Sequence, residues 1–146
     1  MLQDTATIET KYRLFIEKTA ATKLVWGLMS KEGWANSSSN DDEDITVIPF
    51  WSDRAYAKTC ARDDWRNFSP VSIPLAEFLE SWCIGMADEG TLVGANWDAN
   101  MFGKESNALD VALDIVNRIK EINSTIAFKN YGSIDELIAD INQSAD

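Results

Sequence analysis

The sequence contains no histidine, and this absence is its most informative feature. It excludes serine–histidine and cysteine–histidine catalytic arrangements, together with the usual histidine-bearing zinc, copper and non-haem iron sites. Acid–base catalysis would have to use carboxylates, lysine, tyrosine or cysteine. We therefore expect no metal and no cofactor, and we favour a non-enzymatic function over catalysis.

Cysteine is also scarce. Cys60 and Cys83 are the only two, which is too few for a disulfide framework or a zinc pattern. Each falls beside an apolar helical face, where a free cysteine behaves as a small hydrophobic side chain. A redox-active or nucleophilic cysteine is the alternative, and the pattern favours burial instead.

Long apolar runs are missing as well. No stretch approaches the roughly 18 apolar residues that a membrane-spanning helix needs. The N-terminal residues MLQDTATIETKY lack both the basic start and the apolar core of a secretion signal. These two absences predict a cytoplasmic protein that does not enter a membrane.

Basic residues are few, since the chain has 13 lysines and arginines and 24 aspartates and glutamates. The formal net charge is −11 and the calculated pI is about 4.3. Nucleic-acid binding needs a basic surface that neutralises phosphates, so we expect no nucleic-acid partner. The same charge would attract a basic protein and speed the encounter, although solubility alone also explains it.

The rest of the composition is that of a globular protein. Of the 146 residues, 45% are hydrophobic and 25% are charged. A chain of this length forms one domain and buries roughly two-thirds of its unfolded surface. We predict a single domain over residues 1–146.

The first part of the chain predicts a helix followed by a hairpin. Apolar residues within 7–21 recur with helical spacing, and KLVWGLM at 23–29 has the β-branched and aromatic content of a strand. Gly33 suits a turn that takes a positive φ. Trp26 and Trp34 therefore belong to one predicted hairpin.

Residues 36–44, NSSSNDDED, separate this hairpin from the next strand at 45–50. The segment has no apolar side chain to bury, and its four consecutive acids repel one another. We predict an exposed loop whose acids contact a basic partner, and these acids are Asp41, Asp42, Glu43 and Asp44. Calcium binding is the alternative, but the spacing, central glycine and terminal glutamate of an EF-hand are missing. In the strand, Pro49 indicates an edge or an end.

A helix is predicted to follow, with Ser52 as its N-cap. Its apolar side carries Tyr56, Ala57 and Cys60. Three basic residues share the opposite side at i, i+4 and i+8, and they are Arg54, Lys58 and Arg62. This cationic ridge, beside Trp51 and Trp65, is a candidate site for a small anionic ligand. The simpler interpretation, which we favour, is that the cations pair with neighbouring acids on a solvated face.

The second half of the chain predicts a short extended piece at 67–73, in which Pro70 limits pairing inside a sheet. Further helices around one more strand are predicted to follow. Pro74 suits the first position of a helix that Gly85 ends, and residues 91–97 predict a strand. The apolar stripe of that helix consists of Leu75, Phe78, Leu79 and Trp82. Residues 105–143 form a helical part that includes a capping box beginning at Ser133. Its apolar surface packs on the sheet and on another helix, or a second copy covers it in a homodimer.

These elements predict an α+β fold. We expect a mainly antiparallel sheet of about four or five strands, packed by about three to five helices.

Five aromatic motifs occur in an order that is typical of one family. They are VWGL at 25–28, EGWA at 32–35, IPFWSDRAYAK at 48–58, FSPVSIPLAEFLESW at 68–82 and EGTLVGANW at 89–97. Through them the chain resembles, over about residues 9–97, the small bacterial proteins of domain of unknown function 2750. The resemblance implies a compact bacterial α+β protein and assigns no catalytic or binding residue. The acidic loop and the C-terminal part do not follow the pattern closely.

Charge, size and missing catalytic groups together favour a non-enzymatic protein-binding module. A concrete form is an immunity or antitoxin protein that covers the positively charged cleft of a basic toxin. The alternative is a small protein or enzyme that binds an anionic ligand on the cationic ridge. A third alternative is a housekeeping protein that mainly associates with itself.

Overall fold

A computed structural model describes residues 5–144 of the backbone and side chains from Thr7 to Gln143. The helices are α1 (Thr5–Thr22), α2 (Arg54–Thr59), α3 (75–89), α4 (Ala108–Glu121) and α5 (Ile134–Ser144). The strands are β1 (Leu24–Ser30), β2 (Gly33–Trp34), β3 (Ser37–Ser38), β4 (Thr46–Phe50), β5 (Ser69–Pro74), β6 (Leu92–Ala95) and β7 (Lys104–Asn107). A 3₁₀ turn, Asp63–Trp65, lies between α2 and β5. The predicted α+β class is confirmed.

The strands form two sheets. The first has the order β2-β1-β5 and is antiparallel, while the second has the order β3-β4-β6-β7. In the second sheet β4 and β6 run parallel, with Val47 opposite Leu92 and Phe50 opposite Ala95. Trp26 and Trp51 exchange two backbone hydrogen bonds of 2.9 and 2.8 Å, which join β1 to the end of β4. These two bonds join the two sheets, and the helices pack on the joined sheets.

The main core lies between the joined sheets and helices α1, α3 and α4. The apolar face of α4 is fully buried, and its residues are Val111, Ala112, Ile115, Val116 and Ile119. Asn107 begins α4 by accepting a hydrogen bond from the backbone N–H of Leu109 over 2.8 Å. Each large apolar side chain of this face contributes about 1.5–3 kcal/mol through its burial, so α4 is held by packing rather than by helix propensity.

Several predicted elements are confirmed. Residues 7–21 lie within α1, and β1 and β2 form the predicted hairpin with Gly33 at a φ of 116°. Strand β5 lies at the edge of its sheet, as its prolines require. Within the predicted C-terminal capping box, Ser133 Oγ accepts from the N–H of Glu136 over 3.2 Å.

Pro49 lies in an interior strand rather than at an edge. Strand β3 pairs only with Thr46 and Val47, so its ladder with β4 does not reach Pro49. Proline has no backbone N–H, and at this position its absence removes no hydrogen bond between β3 and β4. It lies one residue before the end of β4.

The predicted end of α3 at Gly85 is wrong. The helix continues to Glu89 and ends at Gly90, which takes a left-handed φ of 73°. Gly85 is exposed and has helical neighbours on both sides, so it costs some stability without ending the helix. A π-helical stretch, Phe78–Trp82, lies inside α3 and buries Glu80.

The helix that carries the cationic ridge is also shorter than predicted. It begins at Arg54 with Asp53 as N-cap, so the prediction of Ser52 as the cap is wrong. It ends at Thr59, and Asp63 takes a positive φ of 53° shortly afterwards. Arg62 therefore lies outside α2, and the three basic residues do not form a ridge on one helix.

Among the helices of the described residues, none is long and apolar enough to cross a membrane.

Candidate functional site

The candidate site lies where two neighbouring parallel strands end. Phe50 ends β4 and Ala95 ends β6, and these two residues are opposite each other in the sheet. The chain leaves the two strands through Trp51–Ser52–Asp53 and Asn96–Trp97–Asp98. In α/β proteins, ligands bind preferentially outside the carboxyl ends of parallel strands, because the outgoing loops diverge there.

Asn96 joins these two loops. Its side chain is buried, and its carbonyl oxygen Oδ1 accepts from the backbone N–H of Ser52 over 2.9 Å. Its amide nitrogen Nδ2 donates to Ser52 Oγ at 3.1 Å and to the carbonyl of Lys11 at 3.4 Å. The backbone of Asn96 is left-handed with a φ of 49°, a conformation that asparagine tolerates better than most residues. One side chain thus connects the loop after β4, the loop after β6 and α1.

Trp97 fills the space beneath the site. A Cβ atom on Gly94 would come within 2.5 Å of its indole ring, so only glycine fits there. Its carbonyl oxygen accepts from Trp51 Nε1 over 2.9 Å and from Cys60 Sγ over 3.4 Å. Because these donors and acceptors are buried, the floor of the site is fixed in position.

Above this floor is a cavity of about 340 Å³ between α1, α2 and the ends of the strands. Its apolar lining comes from Leu14, Tyr56, Trp97 and Ala99, and its polar lining from Lys11, Thr59, Cys60, Asn96 and Asp98. Leu14 and Tyr56 are 39% and 43% exposed, unusually open for large apolar side chains. A mainly apolar cavity with a few polar groups is the usual form of a small-molecule site.

Two side chains of opposite charge line this cavity. Lys11 Nζ lies 3.6 Å from Asp98 Oδ2, and each side chain is about one-quarter exposed. The other carboxylate oxygen of Asp98 accepts from the backbone N–H groups of Asn100 and Phe102 at 2.9 and 3.2 Å. Asp98 is therefore held by its own turn, whereas Lys11 carries its charge at the end of a long side chain with several rotatable bonds.

The thiol at the cavity is unsuited to nucleophilic chemistry at neutral pH. Burial raises the pKa of the Cys60 thiol to about 11, so it is protonated at pH 7. Its hydrogen bonds to the carbonyls of Trp97 and Asp98 also hold the protonated form. Cys83 is fully buried elsewhere, and burial raises its pKa too.

Lys18 lies on the same side of α1 and binds the loop after β4. Its Nζ donates to Asp53 Oδ1 over 2.8 Å, and this hydrogen bond raises the pKa of the lysine amine. Ser52 Oγ donates to the other oxygen of Asp53 over 3.0 Å. This contact connects α1 to the start of α2.

The predicted ligand residues are dispersed. Arg54, Lys58 and Arg62 are not buried, and none of them lines this cavity. Trp51 and Trp65 are buried, with exposed fractions of 0% and 6%, and they contact each other edge to face. Ligand binding by Arg54, Lys58 and Arg62 stays a prediction, and no described contact between these cations and the two indole rings supports it.

The four acids have the exposure that was predicted for the acidic loop, but residues 36–44 are not a loop throughout. Ser37 and Ser38 form β3, and Ser39 is buried. All four acids are exposed, and they are Asp41, Asp42, Glu43 and Asp44. At the base of the loop, Glu105 accepts from Ser39 Oγ at 2.5 Å and from the N–H of Asn40 at 2.9 Å. Within the part of the chain that the structure describes, no group of three or more Cys, Asp or Glu side chains is arranged to hold a metal ion.

None of the nine residues that line this cavity was predicted as a ligand residue from the sequence, including the charged pair Lys11 and Asp98. The available signal was the sequence Asn96–Trp97–Asp98, with two polar residues at the end of the strand predicted over 91–97. Using it required knowledge that β6 runs parallel to β4, which local periodicity does not provide.

Comparison with known families identifies the chain. Residues 12–115 match the family described as "Protein of unknown function (DUF2750)". This match covers most of the chain, so the protein belongs to that family, and it reaches into α4. Comparison with curated proteins gives no significant match. Comparison with solved structures gives none either.

Proposed function

We propose that this protein binds a small zwitterionic molecule with an apolar side chain, in the cavity at the ends of β4 and β6. The observation that carries the proposal is the pairing of Lys11 with Asp98 at 3.6 Å beside an apolar wall. The separation is longer than a close charge-assisted hydrogen bond, so a ligand that brings both a carboxylate and an ammonium group can replace it. We propose no reaction at this site.

The size of the cavity sets the scale of the ligand. A volume of about 340 Å³ lies near the lower end of the range for small-molecule sites. The ligand's carboxylate binds the ammonium group of Lys11, and its ammonium group binds the carboxylate of Asp98. Its apolar part lies on Leu14 and Tyr56 and removes their exposed surface from water, which contributes roughly 25 cal/mol per Å².

A thermal-shift series tests this proposal. The probes are apolar amino acids, their N-acetyl derivatives without the ammonium group, and the matching amines without the carboxylate. A ligand that binds only the folded state raises the melting temperature with concentration. We expect a rise with the zwitterions, and a much smaller one with either analogue. The proposal fails if all three classes behave alike or if none raises the melting temperature.

The matched variants are Lys11→Met, which keeps most of the apolar stem, and Asp98→Asn, which keeps the shape. Each is expected to abolish the ligand-induced rise. The control is Lys58→Met, which removes a lysine charge on α2 away from the cavity. An equal loss of the effect in this control would show that overall charge, and not this site, is responsible.

The exposed acidic loop favours a second candidate function. We propose that it attracts a basic protein partner, for example as an immunity or antitoxin protein that covers a basic toxin. What supports this is that the structure gives no ion pair to any of the four acids from Asp41 to Asp44 among the described residues. We place such a protein in the bacterial cytoplasm, where two unpaired cysteines such as Cys60 and Cys83 stay reduced.

Affinity capture with the immobilised chain, at low and at moderate salt, tests the second function. The loop variant replaces the four acids by their amides. The control variant makes the same charge change at acids elsewhere on the surface: Glu77→Gln, Asp88→Asn, Glu89→Gln and Glu121→Gln. Capture of one basic protein that only the loop variant loses is the expected result. Recovery of no protein at either salt concentration, or equal loss in both variants, would contradict it.

A further inference from the structure

A second cavity, of about 310 Å³, lies beside the β1–β2 hairpin. It is bounded by the turn between β1 and β2, the segment after β2, the 3₁₀ turn and the loop after β6. Its side chains include Glu32, Asn36, Asp64, Trp65, Phe68 and Met101. It shares no residue with the cavity at the ends of β4 and β6.

The charges at this second cavity have one sign. Glu32 and Asp64 both line it and both are exposed, while its lining contains no lysine or arginine. The arginines on either side of the 3₁₀ turn are engaged with Asp63 instead. Arg62 Nε lies 3.3 Å from the Asp63 carboxylate, and an Arg66 guanidinium N–H donates to the Asp63 carbonyl over 3.1 Å. Within the described residues, neither Glu32 nor Asp64 forms an ion pair.

Trp65, Phe68 and Met101 form an apolar part of the lining, beside the polar side chains of Asn36 and Ser37. Trp65 is almost fully buried, and Phe68 and Met101 are partly buried against the same cluster. Aromatic rings and a thioether form a favourable surface for an aliphatic chain. A cation close to aromatic rings gains a further attraction from their electron-rich faces.

We propose that this second cavity binds an organic ammonium group on an aliphatic stem, with the stem on Trp65, Phe68 and Met101 and the nitrogen between the carboxylates of Glu32 and Asp64. A metal ion does not fit as well, because the described residues provide no metal-ligating cluster. A lysine side chain of a basic polypeptide and a free alkylamine both carry this chemistry. The inference goes beyond the zwitterion site and stands without it.

An NMR titration of the full chain tests the proposal, with pentylammonium as the cationic probe and pentanol as its neutral counterpart. We expect saturable shifts of the backbone amides of Glu32 and Asp64 and of the indole N–H of Trp65. Pentylammonium should bind at least about tenfold more tightly than pentanol, and added salt should weaken it. Equal binding of the two probes, or shifts confined to other residues, would overturn the proposal.

Matched variants separate this site from general attraction to an acidic protein. Glu32→Gln with Asp64→Asn should raise the dissociation constant of pentylammonium at least about tenfold. Asp88→Asn with Glu89→Gln makes the same charge change at two acids on α3 and should change it less than about twofold. Equal weakening in both would overturn the proposal.

A lysine-containing peptide then distinguishes the two sources of the ammonium group. Tighter binding of the peptide than of pentylammonium, with the same residues shifted, assigns the cavity to a polypeptide partner. Equal affinity per ammonium group assigns it to a free amine. Both results support the ammonium site. If pentylammonium does not bind there, the proposal of the zwitterion site still stands, because the two cavities share no residue.

Discussion

The indole Nε1 of Trp51 donates a 2.9 Å hydrogen bond to the carbonyl oxygen of Trp97, and this bond ties the loop after β4 to the loop after β6. Trp51 is completely buried and Trp97 is 4% exposed. The candidate site lies directly above this connection, so its geometry depends on a contact between residues 46 positions apart in the sequence.

Trp51→Phe should destabilise the protein by about 1–2 kcal/mol more than Trp65→Phe. Both changes remove similar volume from the same buried cluster, but only Trp51→Phe removes a described indole hydrogen bond. Urea denaturation followed by circular dichroism measures the difference. Equal losses of unfolding free energy would show that the bond to Trp97 contributes little.

Asn96→Ala should cost about 2–4 kcal/mol, because the buried N–H of Ser52 loses its acceptor and alanine must take a positive φ. Asn96→Gly loses the same hydrogen bonds without the backbone strain, so it should be about 1 kcal/mol more stable than Asn96→Ala. Chemical denaturation of the pair separates the two effects. A glycine variant no more stable than the alanine variant would contradict the role of the left-handed backbone.

Glu80 should hold the segment between α4 and α5 in place. Its buried carboxylate accepts from the backbone N–H groups of Lys129 and Asn130 at 3.1 and 2.6 Å. Glu80→Ala leaves both donors without this partner, so amide exchange at these two residues should accelerate strongly. Glu80→Gln keeps one acceptor oxygen and should give an intermediate rate. Unchanged exchange in the alanine variant would exclude this role.

Alkylation of Cys60 should be slow at pH 7 and rise with pH towards about 11, because only the thiolate reacts. Iodoacetamide labelling of the native chain, followed by mass spectrometry of the peptide that carries Cys60, measures this rate. Cys83 is 0% exposed and should label more slowly. Rapid labelling of Cys60 at pH 7 would contradict the shielded position of its thiol.

The raised pKa of Cys60 also makes stability depend on pH. In the unfolded chain the thiol has its ordinary pKa of 9.0, whereas burial raises this pKa to about 11 in the folded protein. The unfolded state therefore loses this proton first, and the unfolding free energy falls as pH rises between these values. Cys60→Ala removes this contribution, so its stability should decline less over that interval. Parallel stability curves for the two proteins, measured by urea denaturation at each pH, would contradict the shift.

Local patterns predicted most of the individual elements. Helix α1, the β1–β2 hairpin and edge strand β5 follow from apolar spacing, from Gly33 and from prolines, and each of these signals lies within a few residues. The end of α3 was misplaced, because Gly85 and Gly90 carry the same signal. Only the tertiary structure decides which of them takes the left-handed conformation.

The site itself depends on contacts that local patterns do not contain. The pairing of β4 with β6 joins residues 47 and 92, and its parallel direction places both outgoing loops at one edge. The sequence did indicate that Tyr56 and Cys60 lie on one side of the segment that begins with α2, and both line the cavity. Lys11 and Asp98 come from distant parts of the chain, so no spacing rule connects them.

Isothermal titration calorimetry with the apolar amino acid that gives the largest thermal shift tests the zwitterion site most directly. We predict one binding site per chain in the wild-type protein, with binding lost in both Lys11→Met and Asp98→Asn and retained in Lys58→Met. Wild-type affinity in the Lys11→Met and Asp98→Asn variants would contradict the assignment of the ligand to the ends of β4 and β6.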